Sequence, residues 1–143
     1  MKKLFIVLIA ALAGFSQTAT AQCSDKTIKK LCREGLGSYI FESAAFKPLS
    51  AFGAKKNMVE AAFSVYSQEN YRVLNLCQGF SDNVEFAIYD TEHNLLFSNK
   101  SDKTSKFYDF VAQKSGDFTI EFRIPAADAK NGNNCVAFAI GYK

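Results

Sequence analysis

Beyond residue 57 the apolar residues fall at every second position. Ala61, Phe63 and Val65 alternate with small or polar neighbours, as do Val84, Phe86 and Ile88, and the run Phe118, Ile120, Phe122, Ile124 is the cleanest of all. A period of two places one face of an extended strand on a core and the other in water. Tyr71 to Cys77 (YRVLNLC) is dense in strand-forming residues. In the last run, Val136, Phe138, Ile140 and Tyr142 alternate with Cys135, Ala137, Ala139 and Gly141. Those intervening residues are small rather than polar, which predicts a strand covered on both faces. Turn-forming clusters separate the runs at 67–70, 79–83, 90–94, 114–117 and 131–134. With no long helix to serve as a parallel crossover, the pattern predicts an all-β, antiparallel β-sandwich filled by phenylalanine.

Only one stretch has helical spacing. Ser24 and Asp25 precede Ile28, Leu31 and Cys32, and Gly35 and Gly37 follow. A capping side chain at the start and glycine at the end predict one short amphipathic helix. Between 38 and 56, Tyr39, Ile40 and Phe41 suggest an early strand and Pro48 and Gly53 interrupt it, so this stretch reads as an edge strand followed by a loop.

The N-terminus alters the picture of where the chain works. Met1, Lys2 and Lys3 precede an apolar run from Leu4 to Ala13 and a polar stretch ending Ala19-Thr20-Ala21. A transmembrane helix needs roughly 20 apolar residues, so this is read as a secretory signal peptide, residues 1–21, cut after Ala21. The mature part, 22–143, is then a single domain. Attachment of lipid at Cys23 is disfavoured, because Gln22 stands where a small residue is wanted and Thr20 where an aliphatic one is. The expected address is outside the cytoplasm, in the periplasm or beyond the cell.

The chain has 143 residues, 48% of them hydrophobic, and a net charge of +3 that falls to 15 basic against 14 acidic residues without Lys2 and Lys3. Phosphate-backbone binding needs clustered Lys and Arg, so nucleic acid is excluded as a partner. Four cysteines, Cys23, Cys32, Cys77 and Cys135, in an exported chain read as two disulfides. Of three connectivities, locality favours Cys23 with Cys32 and Cys77 with Cys135. A helix beginning after Ser24 argues against the first, since its rise of about 1.5 Å per residue carries Cys32 away from Cys23. With no C-x-x-C and a lone His93 remote from them in sequence, zinc is not expected.

Several segments together carry a family likeness. Ile88-Tyr89-Asp90, then a turn and Leu95-Leu96-Phe97, then Phe107-Tyr108-Asp109-Phe110, then Gly116 to Phe122 (GDFTIEF) resembles the bacterial pre-peptidase C-terminal domain over roughly residues 58–142. The resemblance implies a small jelly-roll-like sandwich, a non-catalytic accessory module of secreted hydrolases that sometimes binds calcium or polymeric substrate. Two features depart from it: no hydrolase accompanies the domain in this sequence, and the N-terminal helix with its cysteines is foreign to the usual pattern. The chain is also similar to small exported proteins of Gram-negative gut and oral bacteria, which implies an address and no activity.

The chemistry on offer is sparse. His93 lies in the turn Asp90-Thr91-Glu92-His93-Asn94, no nucleophile motif or nucleotide loop is present, and no cofactor is expected. Glu85, Asp90, Glu92, Asp109, Asp117 and Glu121 are candidate carboxylates for a hydrolase, but Glu85 and Glu121 sit at outward strand positions where a solvated face is the simpler reading. Asp82, Asp90, Glu92 and Asp102 fall in turns, and loops at one end of a sandwich can gather oxygen ligands for calcium, yet none forms a D-x-[DN]-x-[DN]-G loop. Tyr66, Tyr89 and Tyr108 are the candidate ligand-binding residues, a platform for a glycan or an anchor for a protein, with cross-strand support of the sheet as their alternative role. The last strand, ending at Lys143, would pair with another chain if it lay at a sheet edge. The reading is an exported, non-catalytic binding or envelope-associated module for a glycan, protein or calcium ligand; its rival is a small hydrolase using two carboxylates.

Overall fold

The computed structural model describes residues 23–52, 57–130 and 132–143. The signal peptide expected at 1–21 lies outside the described residues.

Helix α1 (Asp25–Leu36) is followed by β1 (Ile40–Pro48), a single 3-10 turn at Leu49–Phe52, and strands β2 (Met58–Val65), β3 (Asn70–Asn75), β4 (Glu85–Tyr89), β5 (Leu95–Ser98), β6 (Phe107–Val111), β7 (Gly116–Arg123) and β8 (Cys135–Tyr142). They form two four-stranded antiparallel sheets in the orders β1-β8-β3-β6 and β2-β7-β4-β5. This interleaving of first and last strands is the jelly-roll arrangement. The alternating runs supply the inner faces: Phe63, Phe86, Ile88, Phe118, Ile120 and Phe122 from one sheet meet Tyr71, Val73, Phe138 and Ile140 from the other. Rings touch in an unbroken series across that interior, from Phe97 through Tyr108, Phe110, Phe118, Phe63 and Phe138 to Phe122, with centroids 4.6 to 6.3 Å apart.

Strand β8 is buried on both faces, as its small alternate residues predict. It is an interior strand between β1 and β3, not an edge, so the pairing with another chain expected for an edge position has no place there. Its second face is covered by α1. Ser24 caps that helix, its Oγ accepting a hydrogen bond from Thr27 N–H at 3.2 Å, and Ile28, Cys32 and Leu36 are the residues buried beneath it. They pack on Leu74, Leu76, Ala137 and Ala139. Small residues are needed below the helix: a Cβ at Gly141 would stand 2.6 Å from Leu36 Cδ2.

The cysteine pairing differs from the local one expected. Cys23 is bonded to Cys135, across 112 residues, and Cys32 and Cys77 are free thiols. The reason is the face on which each sulfur lies. Cys135 sits in the cluster under the helix with Cys23 and Cys32, whereas Cys77 packs against the core between the sheets. The register explains this: Asn75 pairs with Phe138 and Gln78 bridges Cys135, which sets Cys77 opposite Val136 and turns its side chain away from Cys135. Cys32 is carried off along α1, as the helical rise requires.

Candidate functional site

The described surface contains one large apolar concavity, a groove of about 640 Å³ between α1 and β1. Ile28, Cys32 and Leu36 of the helix form one wall, and Phe41, Ala44 and Phe46 of the strand form the other. The strand wall depends on an irregularity. Phe41 and Ala44 are three residues apart and would point to opposite faces of a regular strand. A bulge at Glu42 shifts the register, so that Phe41 faces Gly141 and Ala44 faces Ala139, both on the helix side. Phe41 remains 53% exposed beside its neighbour Ile40 at 58%.

The outer edge of β1 is unpaired. Cys135 and Gln78 exchange backbone hydrogen bonds of 2.9 Å and Leu76 N–H donates to Ala137, so β8 turns residues 135 and 137 toward β3 and residues 136, 138 and 140 toward β1. Their partners Lys47, Ala45 and Ser43 therefore bond inward, as Leu49 N–H does to Asn134 at 2.7 Å. The peptide groups of Ala44 and Phe46 point out of the sheet, beside the groove. Pro48 occupies the same outward phase, where a missing N–H costs nothing.

Charge around the groove is simple. Asp25, Lys29 and Arg33 follow one another at helical spacing along its rim. Lys29 pairs with Asp25 at 2.6 Å, and Arg33 has no ion-pair partner among the described residues. Burial pushes the Glu42 carboxyl above its usual range, and the charge it exerts falls on Tyr71, on the core side of the sheet. At the far end Tyr39 is held between cations: the Arg72 guanidinium lies 4.7 Å and Lys143 Nζ 4.5 Å from its ring centre. Arg72 also lies over Phe107, donates to Gly35 O at 3.1 Å and makes two bonds of 2.7 Å to Asp109. The Cys32 thiol on the floor is raised by burial, which keeps it neutral.

The tyrosines expected to bind ligand do not share a face. Tyr89 is on the outer face of its sheet, opposite Thr119, with its ring stacked on His93 at 4.5 Å. Tyr66 lies past the end of β2 and is 65% exposed. Tyr108 points inward instead: its register partner Val73 is a core residue, and Phe97 and Phe110 stack on its ring at 4.6 and 5.5 Å. Tyr108 and Phe110 do line a cavity of about 160 Å³, but neighbouring rings already occupy their faces.

The carboxylates are similarly engaged. Glu85 and Glu121 do not lie on a solvated face as expected: Glu121 is 6% exposed and Glu85 largely covered, and the two share Arg123 at 3.6 Å each. Asp117 accepts from Ser64, Glu92 pairs with Lys114 at 2.9 Å, and Arg72 lowers the Asp109 carboxyl from its usual range. Asp90 caps its own turn, accepting from the backbone N–H groups of Glu92 and Asn94. The turn carboxylates divide between the two ends of β4, Asp82 and Asp102 at one and Asp90 and Glu92 at the other. The β1 wall of the groove was missed by period-two reading because Phe41 and Phe46 are out of phase until a bulge is counted; their odd spacing beside Ala44-Ala45 was the available signal.

No family model matches the sequence, and no curated protein matches it. Solved structures share the fold. PliG, a periplasmic inhibitor of g-type lysozyme from Aeromonas hydrophila, superposes with a TM-score of 0.50 at 13% identity, over 73% of this chain and 88% of that one. The pre-peptidase C-terminal domain of a Bacillus anthracis collagenase, from the family the sequence resembles, aligns with a TM-score of 0.41 at 14% identity, over 72% and 90%. The disulfide suits an oxidising compartment, and no helix among the described residues is long and apolar enough to cross a membrane.

Proposed function

We propose that the protein is an exported, non-catalytic module that binds a protein through the groove between α1 and β1. The observation that carries this reading is the coincidence of an apolar concavity with exposed Ile40 and Phe41 and an unpaired strand edge. Exposed apolar groups that border unmet backbone donors are characteristic of surfaces that another chain covers. The ion pairs on Glu85, Glu121, Asp109 and Glu92 support a non-catalytic role, because none is held as a free acid or base in a cleft. A glycan platform is less well supported, since the three tyrosines are dispersed and two of them are already stacked. PliG, an inhibitor of g-type lysozyme that shares the fold, is an instance of this sandwich acting on another protein.

Site-specific photocrosslinking in the producing cell tests the reading. A photoreactive side chain at Phe41 or Phe46 is expected to yield one discrete protein adduct, and the same group at Thr119 on the opposite sheet none. Equal labelling at all three positions, or no adduct at any, would refute it.

A further inference from the structure

We infer that the groove takes an extended segment of its protein partner, added as a fifth strand along β1, with apolar side chains at alternate positions and an acidic group set against Arg33. This rests on the groove being the binding face and specifies how the face is read.

Four features lead to it. The peptide groups of Ala44 and Phe46 face outward at the edge, so an incoming backbone can bond to them without disturbing the ladder to β8, which uses Ser43, Ala45 and Lys47. Side chains of an added strand alternate between faces, so every second one would drop into the hollow lined by Phe41, Phe46 and Ile28. Arg33 supplies the uncompensated charge on the rim, since Lys29 is taken up by Asp25. The strand is also short: the bulge at Glu42 and the proline at 48 confine pairing to about five residues, which selects a short motif over a broad sheet interface.

The short free edge argues against a second copy of this chain as the occupant: between the bulge at Glu42 and Pro48 it is the peptide groups of Ala44 and Phe46 that face outward, too few for a broad sheet-to-sheet dimer. A helical occupant is disfavoured as well, because a helix satisfies its own backbone and would leave the Ala44 and Phe46 groups unpaired.

Selection from a random octapeptide library on the purified mature protein is the test. Expected winners carry apolar residues at every second position and at least one Asp or Glu. Methylating the backbone nitrogens of alternate residues in a winning peptide is expected to weaken binding at least tenfold, and methylating the others to change it less than threefold. Arg33→Glu should switch the selected charge from acidic to basic while the protein stays folded, with at most the small loss in melting temperature that an anion in the last helical turn brings. Winners with helical spacing, indifference to N-methylation, an unchanged charge preference in R33E, or no binder at all would each overturn the inference. So would a concentration-dependent dimer that occludes the groove. If crosslinks form at Phe41 while the peptide selection fails, protein binding stands and the added strand does not. If crosslinks are absent as well, both fall.

Discussion

Arg72 links three parts of the molecule through one side chain. It comes from β3, bonds Asp109 of β6 in a two-pronged pair, reaches the C-terminal turn of α1 at Gly35 O, and lies between the rings of Tyr39 and Phe107. Lysine at this position would lose the planar fork that makes these contacts together. Because Arg72 lowers the Asp109 carboxyl in the folded state, the pair's stabilisation is present above the ordinary carboxylate range and disappears as the pH falls through the lower folded value. Asp109→Asn should therefore cost about 1 kcal/mol at pH 7, a figure held down by the partial exposure of the pair. Urea titrations of variant and wild type should converge as the pH drops below about 4; a gap that persists undiminished in acid would remove the ion pair as its cause.

At the scale of elements, what the sequence revealed depends on how local the determinants are. Strands β2, β4, β7 and β8 were legible because each carries its own alternation, and α1 because Ser24 and Gly37 mark its ends. The true length of β1 was not, since the bulge at Glu42 breaks the alternation and Pro48 looks like a terminator until its outward phase is known. Helix docking was half legible. Alanine and glycine in β8 announced a covered face without saying what covers it, and the answer is the closest approach in the outer layer, Gly141 against Leu36, Tyr39 and the Ile40 carbonyl. Gly141→Ala forces a methyl group into that contact, where neither the backbone oxygen nor β8 can yield. We expect a loss of roughly 1–3 kcal/mol in denaturant unfolding. The expected loss should be accompanied by greater accessibility of Cys32 to thiol reagents, and an unchanged protein would show that α1 sits more loosely than its packing indicates.

Across the whole molecule, the jelly roll joins the beginning of the chain to its end. Strand order left no local trace in the sequence, because the pairings that define it join residues as far apart as Ile40 and Tyr142. Disulfide connectivity was hidden for the same reason: it follows from which side of β3 and β8 each sulfur occupies. The crosslink closes a loop of 112 residues, for which chain entropy alone gives roughly 4 to 5 kcal/mol. Alkylation of the denatured, unreduced protein should label Cys32 and Cys77 alone, read by peptide mass. In the native protein at neutral pH both should react slowly, since burial raises each thiol, that of Cys77 to about 12. Labelling of Cys23 or Cys135 before reduction would contradict the assignment.

Three sulfurs on one side of a sheet and the fourth on the other also impose an order on oxidative maturation. An oxidase acting on cysteines as they emerge would tie Cys23 to Cys32 first and then Cys77 to Cys135, and the second of these bonds would have to pass through the sheet. A chain so oxidised cannot close its layers until that bond is exchanged, so its yield should depend on a disulfide isomerase more than on the oxidase.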